Sequence, residues 1–135
     1  MKIESRPGGK DIEPWQLARE LTQKVYRLTK KLGFTKDYGL KRQIQDAAGS
    51  SMHNIAEGFD SETNAEFIRF LRYAKRSCTE VQSELYVALD EEYISPNEFK
   101  DVYEQARRIP QKRDCHSWIH QLFVRPRGSR QAQQI

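Results

Sequence analysis

The chain has 135 residues, enough for one domain with a single core, and its 37% hydrophobic content argues against an intrinsically disordered chain despite 31% charged residues. Two cysteines are too few for a disulfide framework, and no stretch approaches the roughly 18 apolar residues of a membrane helix. Because the N-terminal sequence also lacks the apolar core of a secretion signal, we expect a cytoplasmic protein with reduced thiols and no membrane partner.

The net charge of +4 is unevenly distributed along the chain. Seven of the eight charged residues in 24–42 are basic, eight of the nine in 80–104 are acidic, and seven of the eight in 107–135 are again basic. Segregated charge of this kind is typical of surfaces that meet a partner.

The first predicted helix runs from Pro14 to about Leu32. Proline suits the first helical turn because its missing N–H would be unpaired there in any case, and Gly33 is the predicted stop. The apolar residues of this helix recur at three- and four-residue steps, which places them on one face. They are Trp15, Ala18, Leu21, Val25, Leu28 and Leu32.

The second predicted helix runs from about Lys36, capped by Thr35, to Gly58 as its C-terminal cap. Gly49 lies inside it at a cost of about 1 kcal/mol relative to alanine, which the close approach of a neighbouring helix would offset. Asn54 and Glu57 flank Ile55, and this polar pair either joins a hydrogen-bond network that fixes helix register or a subunit contact, or reflects helix termination plus a surface acid. The apolar or small positions are Leu40, Ile44, Ala47, Ala48, Ser51 and Ile55.

Two capping-box sequences, at residues 63–66 and 95–98, predict the starts of the third and fourth helices. The third helix is expected to end near Asp90. Pro110 interrupts the fourth, and a second half is expected over residues 112–123. The apolar stripes comprise Phe67, Phe70, Leu71, Ala74, Cys78, Val81, Leu85, Ala88 and Leu89, then Phe99, Val102, Tyr103 and Ala106, and finally Trp118, Ile119, Leu122 and Phe123.

Four helices with short loops predict an all-α, antiparallel up-and-down four-helix bundle over residues 12–123. Residues 1–11 are expected to form a flexible lead and residues 124–135 a basic, flexible tail. In this topology the basic segment 24–42 and the acidic segment 80–104 share one pole. There they neutralise each other either within one chain or between subunits.

The opposite pole is predicted to carry a basic surface. Arg69, Arg72 and Arg76 lie about one turn apart, and arginine favours contact with phosphate. Tyr73 is the aromatic residue best placed to stack on a base. The alternative is an ordinary solvated helix face, since such faces are routinely rich in Lys and Arg. The candidate nucleic-acid-binding residues are Arg69, Arg72, Tyr73, Lys75, Arg76, Arg107, Arg108, Lys112 and Arg113.

Other candidate chemistry is sparse. Cys115, His116 and His120 have metal-ligand spacing, but a single cluster without a second ligand pair is more often an ordinary polar helix face. Cys78 lies on an apolar stripe, and the helical serines have no histidine partner except His53. We therefore expect no catalytic site, no bound metal and no cofactor.

Two segments of the chain, 37–59 and 66–95, carry a family resemblance. Their marks are Tyr38-Gly39-Leu40, Gln43-Ile44, Ser51, Asn54-Ile55-Ala56-Glu57-Gly58, Phe67, Phe70-Leu71, Ala74, Ser77, Glu80, Leu85 and Tyr93-Ile94, with Trp15 and Tyr26 in the first helix. Over residues 12–106 the chain resembles the four-helix-bundle proteins encoded in intervening sequences of bacterial large-subunit ribosomal RNA genes.

The resemblance implies a homopentameric ring of antiparallel bundles without enzymatic activity. It also implies a likeness to accessory proteins of diversity-generating retroelements, which bind a reverse transcriptase and its template RNA. We therefore expect a non-enzymatic nucleic-acid-binding accessory or scaffold whose partners are RNA or an RNA–DNA hybrid and a reverse transcriptase. The alternatives are a protein-interaction scaffold with no nucleic-acid role and, less favoured, a metal-dependent protein. Phosphate binding would weaken steeply with salt, whereas a hydrophobic assembly would not.

Overall fold

The computed structural model describes residues 12–109, which form five helices and no strand. Helix α1 is paired with α3, α3 with α4, α4 with α5, and α5 with α1. These four long helices therefore close into an all-α bundle with up-and-down connections, which confirms the predicted fold class. The helices are α1 (Glu13–Leu28), α2 (Leu32–Lys36), α3 (Tyr38–Phe59), α4 (Asn64–Asp90) and α5 (Pro96–Arg107).

The core is built from the apolar stripes of the four long helices, because each helix turns one face toward the bundle axis. No helix within residues 12–109 is long and apolar enough to cross a membrane. The predicted half-helix 112–123 and both predicted flexible ends lie outside the described residues. Among the most deeply buried side chains are Leu21, Val25, Ile44, Ile55, Phe67, Leu71, Val81, Leu85, Val102 and Ile109.

The two predicted capping signals start α4 and α5 as expected. The Thr63 hydroxyl accepts a hydrogen bond from the Glu66 backbone N–H at 3.1 Å. Ser95 and Glu98 make the full reciprocal box, in which each side chain accepts from the other residue's backbone N–H, at 3.1 and 2.8 Å. Because each cap satisfies N–H groups that the first turn leaves unpaired, these helix starts are fixed locally.

The end of α1 differs from the prediction. The helix ends at Leu28, and Leu32 is 76% exposed and belongs to α2. The chain turns early because Phe34 is fully buried, and its ring stacks on Tyr93 with the centroids 5.5 Å apart. Gly33, predicted to stop the first helix, instead lies within α2 against the Tyr93 ring.

The cap of α3 is Asp37, not the predicted Thr35. One Asp37 carboxylate oxygen accepts from the backbone N–H of Leu40 at 3.2 Å. The other accepts from the Tyr93 hydroxyl at 3.0 Å. This one carboxylate therefore caps α3 and ties its start to the loop that follows α4.

The role predicted for Gly58 is wrong. It lies inside α3, which ends at Phe59 with Asp60 as the C-cap residue. A Cβ atom at Gly58 would stand 2.8 Å from Phe67 Cδ1 and from Phe70 Cβ. The glycine is therefore needed for the close approach of α4 to the end of α3.

A polar chain links α3 to α4 in the middle of their contact. The Asn54 side-chain amide donates to the Ser50 backbone oxygen at 2.9 Å and to the Ser50 hydroxyl at 3.0 Å. The Ser77 hydroxyl of α4 donates to the Ser50 hydroxyl at 2.9 Å. Asn54 thus joins this network through Ser50 of its own helix, and the bond that crosses between the helices is made by the two serines. Glu57, the other residue of the predicted polar pair, is exposed. By contrast, no atom within 4 Å would meet a Cβ at Gly49, so the predicted close neighbour helix is absent there among the described residues.

Candidate nucleic-acid interface

The outward side of α4 carries three exposed arginines, Arg69, Arg72 and Arg76, here called the arginine face. Arg76 comes nine residues after the buried Phe67, which is two and a half helical turns, so it points away from the core. The other two arginines lie within about 60° of it around the helix axis. The sequence prediction that these three side chains share one face is therefore consistent with the helix in which they lie.

Aromatic rings hold two of these guanidinium groups. The Arg69 guanidinium carbon lies 5.8 Å from the centre of the Phe70 ring, and that of Arg76 lies 5.7 Å from the centre of the Tyr73 ring. The two rings meet edge to face with their centroids 5.8 Å apart. Stacking of this kind restricts a guanidinium while leaving its N–H groups free to bind an acceptor such as phosphate.

The other predicted residues lie away from the centre of the arginine face. Lys75 is half-buried, on the flank of α4 next to Cys78. Arg107 is paired with Glu104, with 2.6 Å between its Nη2 and the carboxylate oxygen, and that carboxylate raises the Arg107 pKa. Arg108 donates to Gln105 at 3.3 Å. Lys112 and Arg113 lie outside the described residues.

The register of α4 against α5 places Arg107 along the bundle. The Gln82 side chain of α4 donates to the Tyr103 backbone oxygen of α5 at 3.4 Å. Because the two helices are antiparallel, Arg107, four residues after Tyr103, lies at the level of Cys78, four residues before Gln82. Along the bundle axis Arg107 therefore lies just beyond Arg76, the last arginine of the arginine face, and its charge is paired with Glu104.

The basic segment 24–42 and the acidic segment 80–104 pair within the chain. Lys24 Nζ lies 2.8 Å from an Asp101 carboxylate oxygen, and Lys31 pairs with Glu98. The Lys31 ammonium, together with the Ser95 backbone, lowers the pKa of Glu98. For these two lysines the chain therefore supplies the carboxylate partners itself.

Glu84 of α4 is a buried acid that is not among the residues predicted from the sequence. It is only 8% exposed, and its Oε1 has no hydrogen-bond partner in the described part of the chain. The pKa of Glu84 is raised to about 7, mainly by burial and to a smaller extent by the nearby carboxylates of Glu80 and Asp46. The sequence does contain a sign of this burial. Glu84 lies seven residues, or two helical turns, after Ser77, which places both side chains on the α3 side of α4.

The described residues offer little catalytic chemistry. Cys78 is fully buried, and burial raises the pKa of its thiol to about 12, which makes it a poor nucleophile. Within residues 12–109 no three His, Cys, Asp or Glu side chains are grouped so as to hold a metal ion. The cluster of Cys115, His116 and His120 lies outside this range.

The fold and surface define a class of protein: an all-α bundle that displays on one helix three exposed arginines with no ion pair among residues 12–109. The profile of the 23S rRNA-intervening sequence protein family matches residues 10–112. The chain belongs to this family, which confirms the resemblance noted in the sequence.

A similar solved structure supports the fold. It is the crystal structure of a protein of unknown function from the S23 ribosomal protein family of Bacteroides thetaiotaomicron. It aligns with a TM-score of 0.67 at 21% identity, covering 78% of this chain and 94% of that one. At this identity the likeness shows the fold alone. No curated protein matches the chain.

Proposed function

We propose that this protein is a non-enzymatic, RNA-binding accessory or scaffold that contacts the phosphates of structured RNA through the arginine face. The observation that carries the proposal is that Arg69, Arg72 and Arg76 are exposed on one side of α4 and form no ion pair with a described residue. Membership of a family named for ribosomal RNA intervening sequences is in keeping with an RNA partner.

The contrast with basic residues that are already paired supports this choice. Lys24, Lys31 and Arg107 already have carboxylate partners, so a phosphate would have to compete with them. Unpaired guanidinium groups gain more from a phosphate because no existing ion pair is lost. Tyr73 is 36% exposed beside Arg76, and we propose that it adds stacking on an unpaired base.

Self-association strengthens such a surface. In the proposed homopentamer the arginine face would be repeated around the ring, and contacts that are weak singly would act together on one RNA. An RNA–DNA hybrid offers the same phosphates. Association with a reverse transcriptase of a diversity-generating retroelement, in the cytoplasm, is the most specific form of this proposal, and it derives from the family resemblance rather than from any contact in the structure.

Size-exclusion chromatography with light scattering tests the proposal, using the full chain with and without a structured RNA at 50 mM and 500 mM salt. We expect a pentamer that takes up RNA at low salt and releases it at high salt, because phosphate contacts release counterions. A pentamer that binds no RNA at either salt concentration would contradict RNA binding and support the protein-interaction scaffold. A monomer would contradict the assembly while leaving RNA uptake to be judged on its own.

A further inference from the structure

The acid Glu84 lies on the flank of α4 that faces α3. The Ser77–Ser50 hydrogen bond sets the register of these antiparallel helices, so Glu84, seven residues after Ser77, lies near the level of Gln43. Glu84 is nine-tenths buried, yet one of its carboxylate oxygens has no hydrogen-bond partner among residues 12–109. A buried carboxylate without a partner is costly, so its presence calls for a partner from outside the described chain.

The residues around Glu84 increase the free-energy cost of its unpartnered carboxylate. Glu80, one turn earlier on α4, and Asp46 on the neighbouring helix are both exposed acids, and each acts on the Glu84 carboxyl as a like charge. No described basic residue forms an ion pair with any of the three. Nor do these carboxylates converge closely enough to surround a metal ion. The site therefore suits a cation that brings its own hydrogen-bond donors, which is a guanidinium or an ammonium group.

We propose that Asp46, Glu80 and Glu84 form a docking site, here called the acidic site, for an arginine- or lysine-bearing segment of a partner protein. The cation pairs with Glu84, and its remaining N–H groups are shared with the two exposed carboxylates. Charge complementarity fixes the class of occupant, because three carboxylates repel the phosphates of a nucleic acid.

The acidic site adjoins the arginine face without overlapping it. Arg76 and Glu80 are four residues apart, so the sign of the surface changes within one turn of α4. RNA on the arginine face and a basic protein segment on the acidic site would therefore occupy neighbouring stretches of one helix. This arrangement allows the protein to bridge an RNA and a partner protein. Because the two surfaces share no residue, loss of binding at one leaves binding at the other testable.

The test uses a fluorescent hexa-arginine peptide as the probe and the full-length protein as wild type, Glu84→Gln and Glu57→Gln. Glu57 is an exposed acid of α3 that lies eleven residues, about 16 Å, beyond Asp46 and provides the same change of charge outside the site. We expect Glu84→Gln to weaken peptide binding about five- to tenfold and Glu57→Gln to change it less than twofold. Bound peptide should also lower the pKa of Glu84, read from the carboxyl 13C resonance.

Several results would overturn the proposal. Equal weakening by both variants would show that the peptide responds only to net charge. A shift of the Glu84 carboxyl resonance by Mg²⁺ or Zn²⁺ alone, at concentrations where the peptide has no effect, would make the site a metal site. Failure of the peptide to bind, combined with a change in molecular mass of Glu84→Gln by light scattering, would assign the site to a second copy of the chain. A loss of RNA affinity in Glu84→Gln would assign it to RNA.

Discussion

Gly58 of α3 lies directly against Phe70 of α4, so that a Cβ atom on the glycine would stand 2.8 Å from the Cβ of the phenylalanine. The Phe70 ring in turn supports the guanidinium of Arg69 at 5.8 Å. The closeness of two helix backbones at this point therefore determines where one of the three arginines of the arginine face is held.

Replacing Gly58 by alanine should destabilise the bundle. The added methyl group collides with a backbone-anchored Cβ and with the Phe67 ring, which are not the flexible ends of side chains, and we expect a loss of about 1–3 kcal/mol in the free energy of unfolding. Gly49→Ala is the matched control, since no atom within 4 Å would meet its Cβ. It should stabilise α3 by about 0.5–1 kcal/mol. Urea unfolding followed by circular dichroism measures both, and equal effects of the two variants would contradict this account.

Glu84 should make stability depend on pH in a defined direction. Its folded pKa is about 7, above the usual 4.5, so the folded protein binds a proton that the unfolded chain releases. The contribution of Glu84 to stability is therefore lost as the pH rises from about 4.5 to about 7 and changes no further above that window. Glu84→Gln should match the wild type near pH 4.5 and exceed it by about 1–2 kcal/mol at pH 8, after allowance for solvent screening. A gap that does not change with pH would show that the Glu84 charge is already compensated.

Cys78 should resist alkylation in the folded protein. Its side chain is fully buried, and burial holds the thiol pKa at about 12 despite the nearby Lys75 ammonium. Iodoacetamide at pH 8 should therefore modify the peptide that contains Cys78 only at urea concentrations that unfold the bundle, as followed by mass spectrometry. Modification in native buffer at the rate of the unfolded chain would contradict the buried position.

Local signals in the sequence explain the parts of the fold that were predicted correctly. The Thr63 cap and the Ser95 capping box act within four residues, and the apolar stripe of α4 repeats over seven turns, so neither depends on the rest of the molecule. The same regular spacing predicted that Arg69, Arg72 and Arg76 share one side of α4. Element type and helix faces are encoded locally, in the spacing and capping residues of each helix.

Tertiary contacts explain the parts that were missed. The turn before α3 is set by Phe34 inserting beside Tyr93, which is 59 residues away in sequence, and no local pattern reports that contact. In the sequence Gly58 has the pattern of a helix cap, because the contact that requires a glycine there is made with Phe70 of another helix. The pairing of Arg107 with Glu104 is different, since their three-residue spacing on one helix was visible in the sequence and could have lowered the rank of Arg107 as a phosphate ligand.

The most direct test of RNA binding by the arginine face is the RNA affinity of a charge-reversed variant, Arg72→Glu with Arg76→Glu. Its matched control is Lys30→Glu with Lys36→Glu, which reverses two exposed charges in the basic segment 24–42. Fluorescence anisotropy with one labelled structured RNA, at several salt concentrations, gives both the affinity and its salt slope. We predict that the arginine variant binds at least about tenfold more weakly, with a salt slope reduced by about 1–2, while the lysine variant stays within about threefold of the wild type. Equal losses in the two variants, or a larger loss in the lysine variant, would contradict the assignment of RNA binding to the arginine face.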